Sequence, residues 1–135
     1  MMQVDLLCLV DAATVDAGGK LNILGAYDVI QLPEFPSTTR VVVAFRLVSF
    51  SVDEGLHALE IRLVTEDGEA LAVGPTVIGV GAGPGADGRF TLPGVLVMAP
   101  CFPEPGEYAV DVFVDGAQLR SLPLLVRQYH AVTLP

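Results

Sequence analysis

The side chains best suited to acid–base or metal chemistry in this chain are its two histidines, His57 and His130. Neither has a His, Cys or carboxylate neighbour at a zinc-ligand spacing, so no metal site is expected. A Ser, His and Asp set can be drawn from distant segments, as in almost any chain. The Gly-x-Ser-x-Gly elbow that would expose a nucleophile is missing from the sequence. Gly81-Ala-Gly-Pro-Gly-Ala86 fits the G-x-G-x-x-A form of a dinucleotide loop. That loop works only between a strand and a helix whose amides face the pyrophosphate. No helical period follows it, and Pro84 has no N–H to donate. No nucleotide is expected, nor any other cofactor.

The first part of the chain is rich in carboxylates: Asp5, Asp11, Asp16 and Asp28. If the strands around Asp16-Ala-Gly-Gly19 pair, Asp11 and Asp28 approach the same end of a sheet. Together with Tyr27 they are the binding candidates. A calcium site would need more oxygen ligands at closer spacing, and solvated strand ends are the plainer reading. Cys8 and Cys101 read as small apolar core thiols.

Net charge limits the partners. The chain of 135 residues carries 7 Lys plus Arg against 16 Asp plus Glu, for a net charge of −9. A nucleic-acid binder needs a basic stripe to displace counterions from phosphates, and scattered cations do not form one. Anionic membrane surfaces are disfavoured for the same reason. Val4 to Val10 is too short for a spanning helix and lacks the basic flank of a signal peptide. The expectation is therefore a cytoplasmic protein with reduced cysteines and no nucleic-acid or membrane partner.

Hydrophobic residues make up 52% of the chain and charged residues 17%. A single domain spanning residues 1–135 has too much surface to hide that much apolar side chain. Some of it is expected to lie between subunits, most simply in a two-fold homodimer.

The elements that would position these residues are strands. Gln3 to Val10 is apolar on both faces, with Val4, Leu6, Cys8 and Val10 opposite Leu7 and Leu9. Lys20 to Ile30 follows as one strand with Gly25 inside it, where glycine marks a bulge or a close approach. Pro33-Glu-Phe-Pro36 is a loop corner. Arg40 to Ser51 is a central strand, and Leu56 to Thr65 alternates with Leu59, Ile61 and Leu63 inward. A three-residue loop, Glu66-Asp-Gly68, sets Leu63 opposite Leu71. Leu71 to Gly79 continues in one or two pieces, Gly79 to Gly88 is a loop, and Arg89 to Ala99 is interrupted at Pro93-Gly94. The tail, Tyr129 to Pro135, is mildly apolar.

The clearest pattern lies near the end. Tyr108, Val110, Val112 and Val114 share one strand face after the Pro103-Glu-Pro-Gly106 corner. Asp115-Gly116 is a two-residue hairpin turn, because both residues tolerate positive φ. That register pairs Val112 with Leu119 and Asp111 with Arg120. The apolar phase then slips by one residue, which predicts a bulge near Arg120 to Pro123. Gly106, Tyr108, Asp115 and Gly116 are structural residues in this reading. No stretch of a dozen residues has a helical period, and turn signals recur between about eight strands. The fold class is all-β: an antiparallel β-sandwich of immunoglobulin-like type, in which Tyr108 either pins the preceding corner with its hydroxyl or stands as a plain cross-strand aromatic.

The run from Val4 through Asp11-Ala-Ala and Lys20-Leu-Asn-Ile-Leu-Gly-Ala-Tyr-Asp28, with the closing Pro105-Gly-Glu-Tyr108 hairpin, resembles a bacterial family of small proteins that is a domain of unknown function. The resemblance covers most of the chain and departs from it at Gly79 to Gly88. It implies a cytoplasmic bacterial β-sandwich and brings no activity or catalytic residue. The functional expectation is a non-enzymatic sandwich acting through protein contacts. The alternatives are a small-molecule or carbohydrate-binding module using loops at one end, and a hydrolase assembled from distant carboxylates.

Overall fold

The computed structural model of the chain describes residues 2–81, 83 and 88–130, and it is all-β. The described strands are β1 (Gln3–Val15), β2 (Leu21–Tyr27), β3 (Val29–Leu32), β4 (Ser37–Thr38), β5 (Val41–Ser49) and β6 (Gly55–Thr65). They continue as β7 (Ala70–Val80), β8 (Phe90–Met98), β9 (Cys101–Phe102), β10 (Gly106–Val114) and β11 (Ala117–Gln128), and one 3₁₀ turn spans Ser51–Asp53. No helix among the described residues is long and apolar enough to cross a membrane. Residues 131–135 of the expected tail lie outside the described residues. So does most of the Gly81–Ala86 motif, and the next described element after it is strand β8.

Four strands form one sheet in the order β2-β1-β5-β8, and five form another in the order β3-β11-β10-β6-β7. The short β4 and β9 make a separate ribbon. The two large sheets share one core. Leu7, Leu9, Val43 and Phe45 come to it from the first sheet. Leu59, Ile61, Leu63, Val110, Val112 and Leu124 come from the second. Burying each such side chain stabilises the fold by roughly 1.5–3 kcal/mol relative to leaving it in water. The strict alternation of β6 and β10 is what delivers their odd or even residues to one side.

The structure departs from sequence expectation where a strand changes sheet or phase. Lys20 to Ile30 is two strands, not one. The chain leaves the first sheet at Asp28, whose carbonyl accepts the N–H of Leu125 at 3.0 Å. It then runs as β3 alongside β11 in parallel, so the fold is not purely antiparallel. This split and the β4–β9 ribbon raise the strand number above eight.

The bulge in the last hairpin falls at Leu119, not at Arg120 to Pro123. Val112 therefore pairs with Arg120 and Asp111 with Ser121. The earlier slip lets Leu119 and Leu122, which have opposite parity, both pack against the core. Likewise Val64 pairs with Ala70 but Leu63 with Ala72, so Leu71 is bulged rather than opposite Leu63. Gly68 is left-handed at φ 86°, as the three-residue loop requires. A third shift lies between Val4 and Leu6, and it turns Val4 towards the core with Leu7. Val4 therefore does not share the face of Cys8 and Val10.

Prolines do not interrupt β7 or β8. Both strands run through Pro75 and Pro93 because both lie at sheet edges, where a missing N–H leaves no ladder bond unmade.

Gly94 sits opposite Phe45 on the neighbouring strand. A Cβ there would lie 2.3 Å from Cζ of Phe45. Gly94→Ala is expected to destabilise the protein by about 1–3 kcal/mol through overpacking. Urea unfolding should show a lower midpoint at unchanged slope. Gly79→Ala is the control, since its Cβ would meet only Cδ2 of Leu56 at 3.9 Å.

Candidate functional site

Gly25 builds the first cleft. Its φ is 70°, and a Cβ on it would lie 2.2 Å from Oδ2 of Asp11 on the paired strand. The register places Asp11 and Gly25 across from each other without a bulge, so the glycine is a close approach. Its missing side chain is the space the Asp11 carboxylate occupies. Tyr27 follows two residues later, and Arg40 stands just before β5. With Thr39 and Ile30 they line an open cleft of about 380 Å³. Burial pushes the Tyr27 phenol above its usual range. The Asp11 charge pushes it further, while Arg40 opposes the rise. At neutral pH Tyr27 is a neutral phenol that can donate and accept hydrogen bonds, not a base.

Asp28 is not in this cleft. It lines a larger one of about 590 Å³ on the second sheet, with Glu66, Glu107, Asp111 and Ser121. The separation follows from the change of sheet at Asp28. Asp11 and Tyr27 stay with the first sheet. Asp111 accepts a hydrogen bond from the Ser121 hydroxyl at 2.6 Å. Among the described residues no three His, Cys, Asp or Glu side chains converge as a metal site.

The sequence pattern missed the partner of His57. Asp115, 58 positions away, lies at the tip of the last hairpin, and antiparallel pairing of β10 with β6 brings it to His57. Nδ1 of His57 is 2.6 Å from Oδ2 of Asp115. Nε2 faces the carbonyl of Asp53, at 2.5 Å. Oδ1 of Asp115 accepts the N–H of Ala58 at 2.9 Å, and the Asp115 N–H is given to the Ala58 carbonyl at 2.8 Å. With acceptors on both sides, the ring is satisfied only when both nitrogens carry protons. The Asp115 carboxylate accordingly raises the His57 pKa from its ordinary 6.5, helped by the Asp53 carbonyl. His57 holds Asp115 below the usual carboxylate range in return. Neither nitrogen is left with a lone pair for a substrate or a metal. The arrangement is a clamp that ties the hairpin tip and the 3₁₀ turn to β6. The signal that could have revealed it is the register of β6 against β10, which puts Leu59 opposite Val114.

The other structural residues act nearby. Asp115 and Gly116 take φ of 51° and 83°, the paired positive values of a type I′ turn. Gly106 opens β10 opposite Val126. The Tyr108 hydroxyl donates to the Glu104 carbonyl at 2.5 Å, which fastens the Pro103–Pro105 corner. Its ring meets Phe102 edge-on with centroids 5.0 Å apart. Burial raises the Tyr108 pKa. Asp5, in the first bulge, takes two bonds from the Arg46 guanidinium at 2.9 and 2.8 Å. Arg62 pairs with Glu60 at 2.6 Å and lies over the Phe113 ring, 4.4 Å from its centroid. Cys8 is half-buried, and burial raises its thiol pKa. Cys101 is exposed in the short β9, so it is not the core thiol the sequence suggested.

The model of a family of unknown function (DUF6941) matches residues 5–127, and the chain belongs to that family. No curated protein matches the sequence. Among solved structures, the chain is similar to a Pseudomonas fluorescens alkylpurine DNA glycosylase, AlkC, bound to DNA containing an abasic site analog. The two are 16% identical with a TM-score of 0.48. The match covers 93% of this chain and 30% of the glycosylase chain, so this protein spans under a third of that length.

The His57 clamp sets a pH dependence. His57 has a raised folded pKa, so its contribution is complete below the unfolded value of 6.5 and is lost as pH rises through the folded pKa. Asp115 has a lowered folded pKa, so its contribution is present above 3.8 and is lost as pH falls through the folded value. The pair is strongest between these limits. Urea midpoints of the wild type and His57→Gln, measured from about pH 5 to about pH 9, should differ most at the acid end of that range and converge at the alkaline end.

Proposed function

We propose that this member of the family of unknown function DUF6941 is a non-enzymatic β-sandwich that works through protein contacts, with a second copy of itself as its first partner. The observation that carries this reading is the exposed apolar side chains on the edge strands of the four-stranded sheet: Leu24 on β2 and Val97 on β8 stand exposed at 70% and 52%. Val10, Val42 and Ala44 form a second apolar cluster, already buried within the chain, with Cys8, Ala13, Leu21 and Val95 packed against it. The polar groups best placed for chemistry are engaged in structure: both His57 nitrogens, the Tyr108 hydroxyl and the Asp5 carboxylate all hold strands, turns or corners.

The sandwich we propose is of immunoglobulin type with one additional strand. Support comes from the order β11-β10-β6-β7, which follows strands G-F-C-C′ of such a domain, and from β5-β8, which corresponds to its B–E pair. β1 is then an extra strand between β2 and β5. Tyr108 lies early in the strand corresponding to F, and its hydroxyl bonds to the backbone four residues upstream, as in a tyrosine corner. A reducing cytoplasm suits the two free cysteines.

The Asp11–Tyr27–Arg40 cleft favours a second reading, a small-molecule or carbohydrate module. Consistent thermal stabilisation by one ligand class would support it. For the first reading, size-exclusion chromatography with light scattering at micromolar concentration is expected to give twice the 14.2 kDa chain mass. A monomer mass at all concentrations would overturn it.

A further inference from the structure

Several charged side chains of this chain are held by protein partners. Arg46 bonds to Asp5, Arg62 to Glu60, and Arg120 to the Val4 carbonyl. Asp16 takes two turn amides, and Asp115 takes His57. Asp11 and Arg40 differ. Both line the cleft of about 380 Å³ together with Tyr27. Among the described residues, neither is joined to the other or to any third group by an ion pair or a side-chain hydrogen bond. An anion and a cation therefore share one cleft with their bonding capacity unused.

Their placement is fixed by the fold. Asp11 lies on the β1 face that carries Leu7 and Leu9 into the core, one step beyond Leu9. It thus puts a carboxylate on the inner side of the first sheet, where the core ends, in the room that Gly25 leaves. Tyr27 stands opposite Leu9 on β2 and packs its side chain against the core. Its phenol is within electrostatic reach of both Asp11 and Arg40. The backbone on either side of Arg40 is anchored: the Thr39 N–H donates to the Pro100 carbonyl at 3.1 Å, and Val41 is fully buried. Val29 and Ile30 of the second sheet add an apolar wall, so the cleft opens between the two sheets.

We propose that this cleft binds a small zwitterion bearing an ammonium and a carboxylate, the class of the free α-amino acids, with Asp11 taking the ammonium, Arg40 the carboxylate and Tyr27 a further hydrogen bond. This deepens the small-molecule reading given second above and rests on it, not on the protein-contact reading. The charges select the class. A simple anion would meet Asp11 and the net charge of −9. A simple cation would meet Arg40. A neutral sugar would take water from both charges without supplying an opposite charge to either. A zwitterion supplies both, and guanidinium–carboxylate and ammonium–carboxylate bonds are the strong, charge-assisted kind. The cleft volume falls within the range of about 300–1,000 Å³ usual for small-ligand sites.

The test uses the full chain and four free amino acids: L-alanine, L-leucine, L-glutamate and L-lysine. Their N-acetyl derivatives lack the ammonium, their amides lack the carboxylate, and glucose and galactose serve as neutral probes. Calorimetric titration and thermal shift at up to about 10 mM should show at least one free amino acid binding and raising the Tm. Its acetylated and amidated forms should bind at least about tenfold more weakly. Asp11→Asn and Arg40→Gln replace exposed side chains and should keep the wild-type circular dichroism spectrum. Asp11→Asn is expected to lose the preference for the free amine, and Arg40→Gln the preference for the free carboxylate. A merely structural role would not move these two preferences separately. Three results overturn the zwitterion assignment and leave the small-molecule reading standing: sugars bind and amino acids do not, free and blocked forms bind equally, or amino-acid binding survives both substitutions. No stabilisation by any probe overturns both.

Discussion

One constraint governs this molecule: side chains on a strand alternate, so an apolar run serves a single core only while its parity holds. Among the described residues parity breaks three times, and each break is repaired by a bulge. The shift between Val4 and Leu6 lets both Val4 and Leu7 reach the core. The bulge at Leu71 does the same for Leu71 and Ala72, and the bulge at Leu119 for Leu119 and Leu122. Without them, every residue beyond the break would point to the wrong side of its sheet. The core between the two sheets therefore dictates the register, and the local turns accommodate it.

The same economy appears in the polar groups. Several polar contacts close places where regular pairing ends. Asp16 takes the Gly18 and Lys20 amides in the first turn, both at 2.9 Å. Arg46 straps the first bulge through Asp5. Tyr108 fastens the corner before β10, and His57 ties down the last turn through Asp115. Pro75 and Pro93 lie on edge strands, where no donor is lost. These polar groups thus serve to terminate and join strands.

Much of this was legible in the residues. The alternation of Leu59, Ile61 and Leu63, and of Tyr108 to Val114, specified two buried strand faces without reference to any neighbour. Asp115-Gly116 and Gly68 specified their turns because few residues accept positive φ. The phase slip after Leu119 was visible as well, though its position was not, because two bulge sites repair the same slip and only packing of Leu119 chooses between them. The site was less legible. Asp11 and Tyr27 meet in one cleft through the β1–β2 register, but Asp28 departs with the other sheet, and Arg40 joins from the start of β5.

By itself the sequence determined the strand-forming character of the chain, the turns that need glycine, and the absence of a helical period. These are local matters, decided by φ preferences and by a two-residue repeat. The tertiary structure decided what depends on residues far apart in the chain. It carried β3 across to lie parallel with β11, and it brought Asp115 to His57 over 58 positions. It also left β2 as the long edge without proline or charge. Such pairings follow from which sheet each strand joins. That choice minimises exposed apolar area over the whole molecule, so no single segment encodes it.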